Sequence, residues 1–125
     1  LVTKCSSNQR VNLRSTRMLS SILASGLSLL LSINPMNAFA PTNLTATFRF
    51  NQPVLGEVCI EAEAMSEDAE IFYRSSCEGI NGSVKQIRGY WNWVGDYRMR
   101  ATFRGGVERI ITPYQNVRIL APPGR

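Results

Sequence analysis

Trp91, Trp93, Arg98, Arg100 and Arg104 are the group of side chains whose types and spacing best suit ligand chemistry in this chain. Indole faces stack on sugar rings or bases, and guanidinium forks grip carboxylate, sulfate or phosphate oxygens. Two alternating runs carry these residues, 84–94 and 97–104, on either side of Gly95-Asp96, a dipeptide suited to a two-residue hairpin turn. With that turn, Trp91 opposes Arg100 and Trp93 opposes Arg98, because directly opposed residues share a face of the sheet. Tyr90, Val94, Tyr97, Met99, Ala101 and Phe103 then take the other face, which reads as core. A slip of one residue would invert every side chain. The competing reading is structural, with arginine stems covering indole rings on the outside of a sheet at about 0.5–1 kcal/mol per pair.

Carboxylates supply a second constellation. Glu57, Glu61 and Glu63 point the same way at period two, with Glu67, Asp68 and Glu70 close by. Oxygen clusters suit Ca²⁺, but no calcium-loop spacing is present, and the pattern is that of a charged strand face that discourages edge-to-edge aggregation. No metal and no cofactor are expected. The chain contains no histidine, which removes the commonest general base and every Ser-His or Cys-His arrangement. No Gly-rich loop leads from a strand into a helix to cradle phosphate. The expectation is a non-enzymatic protein; a small hydrolase built on a carboxylate pair is the remote alternative. Asn43-Leu44-Thr45 and Asn81-Gly82-Ser83 match the glycosylation sequon.

The N-terminal quarter reads as an export leader. Met18–Ile33 is a 16-residue apolar run holding five serines, preceded by Lys4, Arg10, Arg14 and Arg17 and followed by Ala38-Phe39-Ala40. A basic segment, a hydrophobic segment and a small-x-small site are the three parts of a signal peptide. Residues 1–40 are therefore expected to be a leader, with a helical hydrophobic region at 18–33 standing apart and cleavage after Ala40. A retained anchor is the rival, weakened because a spanning helix wants roughly 20 mostly apolar residues. The absence of Asp and Glu from residues 1–56 also suits an organellar transit peptide. Secreted, periplasmic and thylakoid-lumen destinations all lie outside the reducing cytosol.

Two further features agree with that destination. Of three cysteines, Cys5 falls in the leader, and Cys59 with Cys77 is expected to form a disulfide. Closing that loop stabilises by roughly 3 kcal/mol in the chain-entropy picture, useful to a domain with a thin core. The whole chain carries 14 Lys and Arg against 9 Asp and Glu, net +5. Without the leader's four cations the balance is ten against nine, net +1, so nucleic-acid binding is not expected. The remaining charge is lopsided, −5 over residues 41–80 and +6 over 81–125, as when two halves pack against each other.

Behind these residues stand short alternating segments. Residues 44–50 form a first strand, stopped at Asn51-Gln52-Pro53, and 57–64 a second. Residues 62–69 contain helix formers, 70–74 make a third strand, and 75–83 read as a loop. The runs 84–94, 97–104 and 107–112 follow, separated by Gly95-Asp96 and Gly105-Gly106, with a last strand at 117–120. This predicts an all-β domain over 41–120, a small antiparallel sandwich or partly open barrel of about six or seven strands, with a flexible tail at 121–125. The function expected is a binding or interaction module using the Trp/Arg face on a protein or on an anionic or sugar-bearing ligand. The alternative is a structural or accessory subunit of an extracytoplasmic complex, with membrane contact only through an uncleaved leader.

Overall fold

The computed structural model describes residues 18–22 and 26–124. Eight strands lie among them: β1 (Met18–Ile22), β2 (Ser28–Asn34), β3 (Asn37–Phe39), β4 (Thr42–Ala64), β5 (Tyr73–Trp91), β6 (Gly95–Gly105), β7 (Glu108–Ile111) and β8 (Gln115–Leu120). They form one curled sheet in the order β1-β2-β4-β6-β8-β3, with β5 paired to β4 and β7 paired to β6. The expected all-β, partly open architecture is present.

The curl comes from β4 and β5. Asn51-Gln52-Pro53 does not stop the strand; the ladder shifts register between Arg49 and Val54 and the chain continues. A straight strand of 23 residues would run about 75 Å. Yet β5 ends at Trp91, opposite Thr42, and β6 begins only four residues later, beside the far end of β4, where Ala64 opposes Tyr97. Four residues reach at most about 14 Å, so β4 must fold back on itself. Its two halves face each other across the core. Phe50 and Phe103 meet edge-on with centroids 4.9 Å apart, and Gln115 of β8 donates from Nε2 to the Leu31 carbonyl of β2 at 3.0 Å.

Period-two alternation builds that core. Leu44, Ala46, Phe48 and Phe50 of β4 are buried, as are Tyr97, Met99, Ala101 and Phe103 of β6 and Val117 and Ile119 of β8. The β6 to β7 hairpin forms where expected, its turn displaced by one residue: Gly105 pairs with Glu108, and Gly106 takes φ +60°. Gly56 lies where β4 passes close to β6, and a Cβ there would collide with the Arg104 carbonyl oxygen.

Besides the stop expected at Asn51-Gln52-Pro53 and the strand expected at 70–74, of which only Tyr73 and Arg74 are extended, as the start of β5, three expectations are corrected. Residues 75–83 are not a loop; they lie inside β5, where Cys77 faces Cys59 and Gly79 faces Glu57. Residues 62–69 hold no helix: β4 runs on to Ala64, and Ala69 closes a turn onto the Ser66 carbonyl. The third correction concerns the helix expected at 18–33. Its described residues are β1 and β2, and β2 pairs antiparallel with β4 from Leu29↔Phe50 to Asn34↔Thr45. Leu27, Leu29, Leu31 and Ile33 are buried, with Ser28, Leu30 and Ser32 between them only partly so. The run alternates as well as being apolar, and the inner face of β4 offers it a partner. Full burial of one such side chain is worth about 1.5–3 kcal/mol, and a domain begun at Pro41 would lack all four. Among the described residues no helix is long and apolar enough to cross a membrane.

Candidate functional site

The five residues expected to share one face do not share it. β5 and β6 are not neighbours; both pair with β4, on opposite edges, so Gly95-Asp96 is not a hairpin turn between them. Asn92–Val94 instead carries the chain across from one half of the sheet to the other, and the expected register is overturned. Trp91 is 8% exposed and belongs to the core, whereas Tyr90, expected inside, is 59% exposed. Trp93 packs partly buried against the same core.

The tryptophans close the end of the molecule. The Trp91 ring meets Trp93 edge-on at 5.3 Å and Tyr97 at 5.4 Å, and its Nε1 donates to the Trp93 carbonyl at 3.0 Å. The Tyr97 hydroxyl donates to the Val94 carbonyl at 3.0 Å, and burial pushes its pKa up. Glu70 holds the crossover, accepting from the Val94 amide at 2.8 Å. A guanidinium does sit on these indoles, but it is Arg74 of β5, 4.4 Å from the Trp93 centroid and 5.6 Å from that of Trp91.

Arg98, Arg100 and Arg104 do lie on the outer face of β6, as expected, and meet the acidic row of β4 there. Arg98 binds Glu63 at 2.9 Å, Arg100 binds Glu61 at 3.0 Å and Arg104 lies 3.6 Å from Glu57. Arg98 and Arg100 both stack on Tyr114, at 4.5 and 4.7 Å. The Tyr114 hydroxyl donates to Glu63, and this bond, with Arg98 beside it, holds the Glu63 carboxyl below the ordinary range; burial and the same bond raise Tyr114. The −5 and +6 segments thus meet strand against strand. A flat anion platform would need uncommitted guanidinium groups, and these three are engaged by carboxylates.

Cys59 and Cys77 form the expected disulfide on the outer face. Their Cα atoms are 4.0 Å apart, closer than the 4.4–6.8 Å usual for disulfides, because the two residues face each other directly across the β4–β5 ladder. Glu57 brings a carboxylate near both sulfurs, but bonded cysteines are not thiolate ligands.

What the fold leaves open is β5. Among the described residues its 19 residues pair on one side only, and most of them are exposed. Beside it lies an apolar cavity of about 70 Å³, lined by Ile33, Leu44, Ile60 and Trp91 and by the exposed Arg74, Arg88 and Gly89 of β5 itself. A Cβ at Gly89 would meet nothing within 4 Å. Sequence reading missed this edge because residues 75–83 looked like turn chemistry. The signal that was available is the alternation of Val84, Gln86, Arg88 and Tyr90 against Ile87 and Trp91. No protein-family model matches the chain, and no curated protein matches it in sequence.

Proposed function

We propose that this chain is an exported, non-enzymatic β domain that serves as an interaction module, meeting an extended segment of another protein along the β5 edge. The observation that carries this is β5 itself, 19 residues long with one strand partner among the described residues, beside an apolar cavity. Strand addition uses main-chain hydrogen bonds for affinity and pockets at alternate residues for specificity. The cavity next to Gly89 suits one apolar side chain of the incoming strand. Arg74 on Trp93 gives the site a cationic rim.

The chemistry of the rest supports a binding rather than a catalytic role. No imidazole is present, and Glu57, Glu61 and Glu63 are each paired with an arginine, so the outer-face hollow that Glu57 and Glu61 line holds carboxylates already engaged by guanidinium groups. Export is supported by the leader pattern and by the disulfide, which is consistent with an oxidising compartment.

The test compares capture of partners from the protein's own compartment by the wild-type chain and by Gly89→Arg, at low and at high salt. The expected result is a captured protein that survives high salt and is lost with Gly89→Arg, while the thermal midpoint of the variant stays within a few degrees. Capture that vanishes with salt and with Arg100→Ala, yet survives Gly89→Arg, would return the binding role to the outer face, since exposed charge pairs are screened and apolar contacts are not.

A further inference from the structure

Residues 26–40 carry two incompatible instructions. Their sequence ends an export leader, yet in the fold Leu27, Leu29, Leu31 and Ile33 fill the inner face of the first half of the sheet. We propose that removal of the leader turns the place of β2 into a strand-acceptor groove, filled by an extended segment of another exported chain with branched aliphatic residues at alternate positions. This inference rests on the export-and-cleavage reading above and concerns a different edge from β5.

What seats β2 shows what the groove would accept. Six consecutive pairs, Leu29↔Phe50 to Asn34↔Thr45, join it to β4. Without β2, the main-chain groups of 45–50 on that side lose their partners, beside the inward rings of Phe48 and Phe50. An exposed row of this kind is a template for another strand. Two side chains outside the ladder also read main chain rather than side chain. Asn51 accepts from the Ser28 amide at 2.9 Å and donates to the Gly26 carbonyl at 2.7 Å. Gln115, 3% exposed, donates to the Leu31 carbonyl at 3.0 Å.

Those contacts would hold any extended chain in the same register. The selection lies in the inner face, where Leu29, Leu31 and Ile33 oppose Phe50, Phe48 and Ala46. Removing the leader would free the Gln115 Nε2 donor, whose Oε1 has no partner among the described residues, so the emptied groove offers an incoming main chain a polar contact as well as an apolar face. Ile33 also walls the β5 cavity, so the two openings would join.

The experiment uses the exported product of the full chain. Intact mass first establishes whether residues up to Ala40 have been removed. The product, with its disulfide intact, is then titrated with a labelled peptide of residues 26–34, and with the same peptide carrying Leu29→Ser and Leu31→Ser. Saturable one-to-one binding, a raised thermal midpoint and affinity at least about 100-fold weaker for the double-substituted peptide are expected. Asn51→Ala, at an exposed position, should weaken peptide binding about 10-fold and leave the unliganded midpoint unchanged. An exported product that keeps residues 18–40 would overturn the export-and-cleavage reading and this inference together. A cleaved, folded product that ignores the peptide, or that closes the edge by pairing two copies, would overturn this inference alone.

Discussion

Trp91 and Arg100 look alike in the sequence as halves of one surface, and the fold gives them opposite roles. Trp91 is a core side chain whose Nε1 is satisfied by the Trp93 carbonyl, so Trp91→Ala should cost about 3–5 kcal/mol, read as a lowered midpoint in denaturant. Arg100 sits in a partly exposed ion pair, and Arg100→Ala should cost no more than about 1 kcal/mol. The reverse order would mean that the indole is dispensable and the ladder structural. Gly56 offers a sharper case: Gly56→Ala forces a methyl onto the Arg104 carbonyl oxygen, and such overpacking costs typically 1–3 kcal/mol. Ala at Gly89, where the space is open, is the matched control and should change the midpoint little.

At the scale of elements, the long β4–β5 hairpin organises everything else. It pairs from Thr42↔Trp91 to Glu63↔Tyr73, with the shift at Arg49/Val54 as its only break, and the Cys59–Cys77 bond ties it near the turn-proximal end. Cys77→Ser should lower stability by roughly 3 kcal/mol, with most of the loss felt in residues 54–82, as amide exchange would report. β2 yields the most informative measurement of all. If it stays in the working protein, Leu31→Ala should cost 2–5 kcal/mol; if the leader is removed, the same substitution should leave the stability of the exported product unchanged. Denaturant melts of that product separate the two.

For the whole molecule, the apposition of an acidic and a basic half sets the response to pH. The Glu63 carboxyl is held low by Tyr114 and then Arg98, so its contribution is complete above the ordinary carboxylate range and is lost as pH falls through the lowered value. Glu63→Gln should therefore flatten the acid limb of the stability profile. The Tyr97 hydroxyl is held high by burial, so its contribution is complete below the ordinary phenol range, near pH 10, and disappears as pH rises through the raised value. Tyr97→Phe should remove that alkaline loss, at the expense of the bond to Val94, and a pH series of thermal midpoints would show both limbs.

Alternation alone determined the strand class, the inward set of β6 and the outward arginines and glutamates, because each follows from side chains that switch faces at every residue; the Cys59–Cys77 pairing came instead from cysteine count and compartment. Only tertiary structure decided who pairs with whom. Gly95-Asp96 has the local chemistry of a hairpin turn, but the bend in β4 brought a different neighbour to β6, and local propensity does not report a contact made 35 residues away. The same holds for Leu27 to Ile33. An apolar run preceded by cations satisfies an export signal by composition, and by spacing it satisfies a core strand. Its place in the fold depends on a partner face, supplied by Ala46, Phe48 and Phe50, that no window of residues 1–40 contains.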